Sequence, residues 1–316
     1  MSGARPSHAA KAALGGSPSE GADLSFAAWS KGHLDAIEQA LSRWVVTYAP
    51  AGLGDAMRYA VLDGGKRLRP LLVMAASEAV HGNPAAALRA ACAVELIHAY
   101  SLVHDDMPCM DNDVLRRGKP TVHVKYGQAQ ALLAGDALQA LAFELLTPEG
   151  DDVPAVQQAT LCRLLARAAG HEGMAGGQAI DLASIGRNLS EDELRQMHRL
   201  KTGALLQGRV MMGAACGVPD PRAREALSTY GAAMGLAFQV VDDVLDVTAD
   251  SSSLGKTAGK DAAHDKPTYV SLLGLDRSRA YAQELFQQAT GALASSGLAD
   301  TRALLALAGI VVNRDN

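Results

Sequence analysis

Residues 90–111 read AACAVELIHAYSLVHDDMPCMD, and they join the longest apolar stretch of the chain to a group of aspartates. The apolar part is interrupted by Glu95 and His98, which favours a buried core helix over a membrane span. Carboxylates at the end of a buried helix cost free energy unless a cation meets them. The stretch therefore predicts a core helix that carries a charged site at its C-terminal end.

The composition favours helices along the whole chain. Hydrophobic residues make up 48% of the 316 residues and aromatic residues 4%, and much of the apolar content is Ala and Leu, which lose little rotamer freedom in a helix. The sequence shows neither sustained alternation with a period of two residues nor a repeat at a fixed period. We expect an all-α fold, with a disordered N-terminal tail over residues 1–23 and a single domain over residues 24–316.

Charge and cysteine content exclude several classes of protein. The formal net charge is −5 with no basic bias, which argues against a nucleic-acid partner. The cysteines form no C-x-x-C pair, so a structural zinc site is not expected; they are Cys92, Cys109, Cys162 and Cys216. Reduced thiols, and an N-terminus without the apolar core of a signal peptide, are typical of a cytoplasmic protein without stable membrane insertion.

A second aspartate cluster, Asp242, Asp243 and Asp246, follows the apolar run at residues 236–241. On a helix Asp242 and Asp246 lie on one face, about 6 Å apart, so both can reach one divalent cation. Mg²⁺ suits such a pair because it fills its remaining positions with water and substrate phosphate oxygens. The ligand spacing of a calcium-binding EF-hand is absent.

The first cluster, Asp105, Asp106 and Asp111, has a different spacing. Asp105 and Asp111 are six residues apart, which is about 240° around an ideal helix. Pro108 cannot continue the helical hydrogen bonds, and it disfavours helical geometry in the residue before it. We expect a bend after Asp106 that returns Asp111 toward Asp105. One aspartate pair commonly only caps a helix in solvent, but two clusters that each close an apolar helix favour a metal site.

Several basic side chains are candidates for binding phosphate, whose oxygens match the fork of an arginine. Lys66 and Arg69 lie three residues apart in GGKRLRP (residues 64–70), on one face if helical. The others follow the first aspartate cluster or stand in apolar surroundings: Arg116, Arg117, Lys201 and Lys256. His98 lies two helical turns before Asp105, and there a diphosphate contact and an ordinary core histidine are equally good explanations.

Blocks of the sequence follow one another in the order found in trans-isoprenyl diphosphate synthases. They are GGKRLRP, LIHAYSLVHDDMPCMDND with LRRGKPT after it, LLAGDAL, GMAGGQAIDL, KTGAL, FQVVDDVLD and LGKTAGKD. The chain resembles this family, and in particular its bacterial farnesyl diphosphate synthase branch, over about residues 26–316. The resemblance implies an antiparallel helical bundle of the isoprenoid synthase type with a central active-site cavity, usually a homodimer.

The resemblance also implies roles for individual residues. The two aspartate motifs would hold three Mg²⁺ that bridge an allylic diphosphate, with Asp105, Asp106, Asp111, Asp242 and Asp246 as ligands. The catalytic residues would be Asp105, Asp106, Asp111, Lys201, Asp242 and Asp243. Contacts to the allylic diphosphate would come from Arg116, Lys201 and Lys256, with Thr202 and Gln239 beside it. The diphosphate of isopentenyl diphosphate would be bound by Lys66, Arg69, His98 and Arg117.

Two positions depart from the family pattern. Val114 stands where family members often have another aspartate, and Val241 stands where many have a glutamine before the second aspartate pair. Val114 thins the acidic cluster, and Val241 removes a possible hydrogen bond behind the second one. Neither change removes a motif ligand.

Tyr100 and Ser101 are candidates for setting product length. Tyr100 lies about 7.5 Å along the helix axis from Asp105. In the family an aromatic residue there acts as a floor that stops growth near fifteen carbons, and we favour this role for Tyr100 over the alternative of ordinary core packing. We therefore expect (2E,6E)-farnesyl diphosphate, made from isopentenyl diphosphate and dimethylallyl or geranyl diphosphate. A geranyl or geranylgeranyl diphosphate synthase is the alternative.

Two other classes of protein use the same fold. A non-catalytic modulating subunit would be expected to lose motif aspartates, whereas all six are present here. A terpene cyclase would not need a second diphosphate site, which the basic residues around His98 would provide. The sequence therefore favours a catalytic synthase with two diphosphate substrates.

Overall fold

The computed structural model describes residues 18–62, 64–65, 67–187, 189–248 and 268–313, with side chains described from residue 25 onward. Lys66, Lys256 and residues 1–17 of the expected tail lie outside the described residues. Helix α1 begins at Pro18, so residues 18–23, which the sequence assigned to the tail, are helical.

The described residues form helices joined by short connections, with one two-stranded antiparallel hairpin. The elements are α1 (Pro18–Trp44), a 3₁₀ turn (Pro50–Gly52), α2 (Leu53–Val61), α3 (Leu68–Ala79), α4 (Pro84–Asp105), β1 (Leu115–Arg116), β2 (Lys119–Pro120), α5 (Val122–Tyr126), α6 (Gln128–Leu146), α7 (Ala155–Ala169), α8 (Met174–Ala183), α9 (Glu191–His198), a π-helical turn (Arg199–Gly203), α10 (Ala204–Ala215), α11 (Pro221–Thr248), α12 (Tyr269–Leu273), α13 (Leu275–Ala294) and α14 (Arg302–Val312). The expected all-α fold is confirmed.

Helix α4 is the core helix that residues 90–111 predict. Its N-cap is Asn83, whose side-chain oxygen accepts from the backbone N–H of Ala85 and Ala86 at 2.9 and 3.1 Å. The alanine-rich first half is buried because small side chains let neighbouring helices approach closely. Helix α4 packs against α1, α2, α3, α6, α7 and α10, so the aspartates at its end are held by most of the bundle.

Helices α3, α10 and α11 form the other side of the bundle. Gly213 of α10 lies against α3, where a Cβ atom would come within 2.4 Å of the carbonyl oxygen of Val73. Leu72, Val210 and Met234 belong to one apolar cluster that joins the three helices. Helix α11, which carries the second aspartate cluster, packs along α13 as well as α10.

Helices α4 and α6 are long and apolar enough to cross a membrane by length and composition. The most apolar 18-residue window of α4 is 67% buried inside the molecule and that of α6 is 39% buried. Core helices in general satisfy the same test, so these two helices are weak evidence for a membrane span.

Candidate active site

The chain turns sharply where α4 ends. The backbone N–H of Asp111 donates to the carbonyl oxygen of Asp105 at 2.8 Å, and that of Met107 donates to His104 at 3.1 Å. The bend that Pro108 predicts is therefore confirmed, and it brings the two outer aspartates of the first cluster together. Burial raises the pKa of Asp105 to about 6, with Lys201 opposing the shift and Asp111 adding to it.

Asp106, the middle aspartate, is paired with Arg116. The Nε of Arg116 donates to both carboxylate oxygens at 3.1 and 3.0 Å, and its Nη2 donates to Oδ1 at 2.5 Å. Asp106 is 3% exposed, so this pair neutralises a buried charge. The sequence predicts Asp106 as a metal ligand and Arg116 as a contact to diphosphate. In the structure these two side chains are paired with each other.

The second cluster lies on α11 with the helical spacing that the sequence predicts. Asp243 accepts hydrogen bonds from Nε2 of Gln239 at 2.8 Å and from the backbone N–H of Tyr269 at 2.7 Å. These bonds tie the start of α12 to α11. Asp242 and Asp246 share a different face of the helix, as residues four apart do.

A π-helical turn, Arg199–Gly203, connects the two aspartate clusters. Lys201 lowers the pKa of Asp105, which places its charge near the first cluster. Thr202 Oγ1 donates to Oε1 of Gln239 at 2.9 Å, and Gln239 in turn holds Asp243 in the second cluster. Single π turns are common at functional sites because they change the direction of side chains within a continuous helix.

Asp181 holds Lys201 in place. The Nζ of Lys201 donates to Oδ2 of Asp181 at 2.5 Å, and Asp181 is 4% exposed. Asp181 is a functional candidate that sequence reasoning missed. It could have been noticed as the single carboxylate in GMAGGQAIDL, a block otherwise made mainly of small and apolar residues. Gly177 in that block has no room for a side chain, since a Cβ atom would lie 2.1 Å from the backbone nitrogen of Lys201.

Besides the aspartate clusters, a basic site lies between α2, α4 and the β1–β2 hairpin. It is a pocket of about 60 Å³ whose lining includes His98, Asp106, Arg116 and Arg117. The Nη1 of Arg117 donates to the carbonyl oxygen of Gly64 at 2.9 Å. Gly65 is needed beside it, because its φ is 126° and a Cβ atom there would lie 2.7 Å from that guanidinium.

Arg69, on the first turn of α3, completes this basic site with its guanidinium 5.4 Å from the ring centre of Phe238. His98 is held neutral, because burial and then Arg69 lower its pKa well below the usual range. Arg209, Arg116 and Arg117 act on His98 in the same direction. The cations that the sequence assigned to one diphosphate are therefore brought together around His98, apart from Lys66, which is not described.

Arg67, between Lys66 and Arg69 in the sequence, has a structural role that sequence reasoning missed. Its φ is 43°, and its side chain is turned into the core. There it donates to Glu38, to Glu95 and to the carbonyl oxygen of Val61, each at 2.6 Å.

Tyr100 lies on α4 below the first aspartate cluster. Its ring packs edge-on against His104 with 5.7 Å between ring centres, and the side chain of Gln139 of α6 lies near its hydroxyl. Ser101 donates to the carbonyl oxygen of His98 at 2.9 Å, so its hydroxyl is engaged with its own helix.

The carboxylates fit magnesium better than a closed metal site. Among the residues that the structure describes, no three His, Cys, Asp or Glu side chains are grouped closely enough to hold an ion by themselves. Mg²⁺ needs only one or two carboxylates, since water and substrate phosphate complete its shell. Asp105 and Asp111 form such a pair, and burial raises the pKa of Asp105 to about 6, so a bound cation would stabilise its charged form.

Comparisons with known proteins identify the family of the chain. A family model described as polyprenyl synthetase matches residues 50–305. A probable farnesyl diphosphate synthase of Sinorhizobium fredii is 49% identical over 276 residues, 85% of this chain and 82% of that protein. A chloroplastic geranylgeranyl pyrophosphate synthase of Catharanthus roseus is 43% identical over 299 residues, 94% of this chain and 84% of that protein.

A solved structure of similar fold contains ligands. It is the geranyltransferase of Helicobacter pylori complexed with magnesium and isoprenyl diphosphate. The TM-score is 0.79 at 33% identity, and the match covers 95% of this chain and 98% of that one.

The Asp106–Arg116 pair predicts a stability effect. Replacing Arg116 by Met leaves Asp106 buried without its partner, and we expect the free energy of unfolding to fall by about 2 kcal/mol. This is less than for a fully buried pair, because the Arg116 side chain is 37% exposed and screened by solvent. Urea denaturation of R116M, and of D106N/R116M, which should recover part of the loss, measures it.

The exposed Asp300–Arg302 pair provides a matched control. R302M breaks a pair of the same kind in solvent, so its denaturation midpoint should match that of the wild type. If R116M is no less stable than R302M, the Asp106–Arg116 pair is not a structural element of the site.

Proposed function

The chain belongs to the polyprenyl synthetase family and is a prenyltransferase, and we propose that it condenses isopentenyl diphosphate with dimethylallyl or geranyl diphosphate to give farnesyl diphosphate. The observation that carries the proposal is the separation of two sites on one helix. Carboxylates with Lys201 lie at the end of α4, and a cluster of arginines surrounds His98 two turns earlier. One site suits a metal-bound diphosphate and the other suits a diphosphate bound by cations alone.

In the allylic site, Asp105, Asp111, Asp242 and Asp246 would hold Mg²⁺, for which the family resemblance implies three ions. Bound there, Mg²⁺ would neutralise the negative charge that develops on the departing diphosphate. Lys201 would add a positive charge at the same place, and its ion pair with Asp181 holds it in position before substrate arrives. We keep Lys256 as a proposed further contact on the strength of the sequence motif.

Asp106, Asp243 and Gln239 would act by positioning. Asp106 orients Arg116, which then presents its remaining N–H groups toward the site. Gln239 joins Thr202 to Asp243, so the π turn and the second aspartate cluster are held in register. This assignment moves Asp106 from metal ligand to anchor of Arg116.

The reaction itself needs little more from the protein. The C1–O bond of the allylic substrate breaks and both electrons leave with diphosphate. The double bond of isopentenyl diphosphate forms the new C–C bond at C1, and a proton is lost to restore a double bond. The released diphosphate is the base we propose for that proton. Apolar walls matter because a nucleophilic side chain would trap the cation.

The acceptor site would bind isopentenyl diphosphate through Arg69, His98 and Arg117, with Lys66 as a further proposed contact. A neutral His98 can donate one hydrogen bond without adding charge. Gly64 holds Arg117 through its carbonyl oxygen, so the guanidinium is oriented in advance. Preorganisation of this kind lowers the entropy cost of binding.

Tyr100 would limit product length to fifteen carbons. The position of the ring below Asp105, and its contacts with His104 and Gln139, support the role of a rigid floor. The neighbouring Ser101 donates its hydroxyl to a carbonyl oxygen of its own helix. We therefore propose Tyr100 as the main determinant of product length.

We also propose a cytoplasmic homodimer. Apolar side chains are exposed on the hairpin, α5 and α6, which are consecutive in the chain: Val114, Leu115, Val124, Leu132 and Leu133. Exposed apolar side chains concentrated on consecutive elements commonly mark a protein interface. Light scattering should give twice the chain mass of 32.8 kDa. A monomer at micromolar concentration would contradict the dimer.

The main test is elongation by the purified protein. With Mg²⁺, isopentenyl diphosphate and geranyl diphosphate, we expect a fifteen-carbon product by chromatography, and chelation of the metal should abolish it. D105N should reduce kcat by about 100-fold or more. It would remove a ligand of the Mg²⁺ that stabilises the charge developing on the diphosphate in the transition state.

A matched control is D192N, which neutralises an aspartate that is 96% exposed on α9. It should retain wild-type activity. Absence of any elongation by the wild type would refute the proposed synthase.

The floor role of Tyr100 has a test of its own. Y100A opens space below Asp105, so products of twenty carbons or more should appear while the total rate of isopentenyl diphosphate consumption stays within about threefold of wild type. S101A serves as the control and should keep the fifteen-carbon product. An unchanged product length in Y100A would assign Tyr100 to core packing.

A further inference from the structure

Helix α10 carries a charged residue in the middle of its buried face. Leu205, Met212 and Cys216 belong to the apolar cluster that α10 shares with α4. Arg209 follows Leu205 by four residues and precedes Met212 by three, so it continues the same face of the helix. It is 3% exposed, in a position where the helix pattern calls for an apolar side chain.

Arg209 is buried without a partner. It makes no hydrogen bond or ion pair with any residue that the structure describes, and its Nε is buried with no acceptor. A buried guanidinium that lacks a partner is costly, because it has lost its hydration and gained nothing in return. Such a residue indicates either a missing anion or a counter-ion that lies close but unbonded.

The surroundings of Arg209 are mostly positive. Arg69 and Arg209 are the two cations that act most strongly on His98. Burial lowers the pKa of Arg209 well below its usual range; Arg69 adds to the effect and Glu95 opposes it more weakly. Glu95 already gives Oε1 to Arg67, and its Oε2 is buried with no hydrogen-bond partner.

We infer that Arg209 is a further binding residue for the diphosphate of the acceptor substrate, approaching His98 from α10. The inference rests on the proposed function, since it assigns a residue to the acceptor site of that reaction. A diphosphate would supply the acceptor that the buried Nε of Arg209 lacks among the described residues, and an arginine fork can bind two of its oxygens at once.

The competing explanation is that Arg209 only balances the charge of Glu95. Both groups have a buried unpartnered atom, yet they are not bonded to each other. The geometry favours the substrate role, because Glu95 already pairs with Arg67 at 2.6 Å and forms no ion pair with Arg209.

The test separates the two substrates. In R209M, which keeps side-chain length and removes the charge, we expect the KM for isopentenyl diphosphate to rise about tenfold while the KM for geranyl diphosphate stays within about twofold. M212A, which trims a fully buried neighbour on the same helix face, controls for core damage. It should lower the melting temperature and leave both KM values near wild type.

A second variant distinguishes the counter-ion role. If Arg209 only neutralised Glu95, then E95Q/R209M would recover the stability and the KM that R209M loses. With a role in substrate binding, the double variant has a higher KM for isopentenyl diphosphate than E95Q alone, which is measured beside it because Glu95 also pairs with Arg67. Isopentenyl diphosphate alone should also raise the melting temperature of the wild type more than that of R209M.

The outcomes are distinct. An active wild type with an unchanged KM for isopentenyl diphosphate in R209M, or with rescue by E95Q, overturns the inference and leaves the proposed function intact. A wild type without elongation overturns the proposed function first. If R209M does not fold, R209K replaces it; its loss of the fork should raise the same KM about threefold, and no change would overturn the inference.

Discussion

The buried guanidinium of Arg67 is the interaction on which the position of the candidate site depends. It bonds Glu38 of α1, the last residue of α2 and Glu95 of α4, and it belongs to the N-cap residue of α3. Four helices are therefore fixed at one buried ion cluster. Because α3 starts at this cluster, the cluster also sets the direction of Arg69 on the first turn of that helix. Because Glu95 is held in the cluster, the position of the carboxylate near Arg209 is fixed as well.

The same principle recurs in the aspartate clusters, where some carboxylates position other groups. Asp106 pairs with Arg116, and Asp181 pairs with Lys201. Asp243 accepts hydrogen bonds from Gln239 and from the start of α12. Each is almost fully buried, so an unpaired charge at that position would be expensive. Under the proposed function, the two adjacent aspartates of each motif would have different roles, one binding metal and the other positioning a neighbouring side chain.

The sequence predicts those features of the site that depend on residues close together in the chain, and it misses those that depend on tertiary contacts. The bend at Pro108 and the helical spacing of Asp242 and Asp246 follow from backbone rules, and both are confirmed. Arg67 could not be told from Lys66 and Arg69 by pattern, because its inward turn depends on a positive φ and on acids from two distant helices. The π turn and the Asp181–Lys201 pair likewise depend on tertiary contacts, in particular on Gly177 touching that turn.

The pKa values of Asp105 and His98 shift in opposite directions along α4. Burial raises the pKa of Asp105, at the C-terminal end, to about 6, while Lys201 opposes the shift and Asp111 adds to it. His98, about 10 Å earlier along the axis, has a lowered pKa because burial is joined by surrounding arginines. Under the proposed function, a metal-bound diphosphate would meet the buried carboxylates at the end of α4, and a metal-free diphosphate would meet the arginines around His98. Each substrate would therefore be favoured at its own part of the helix.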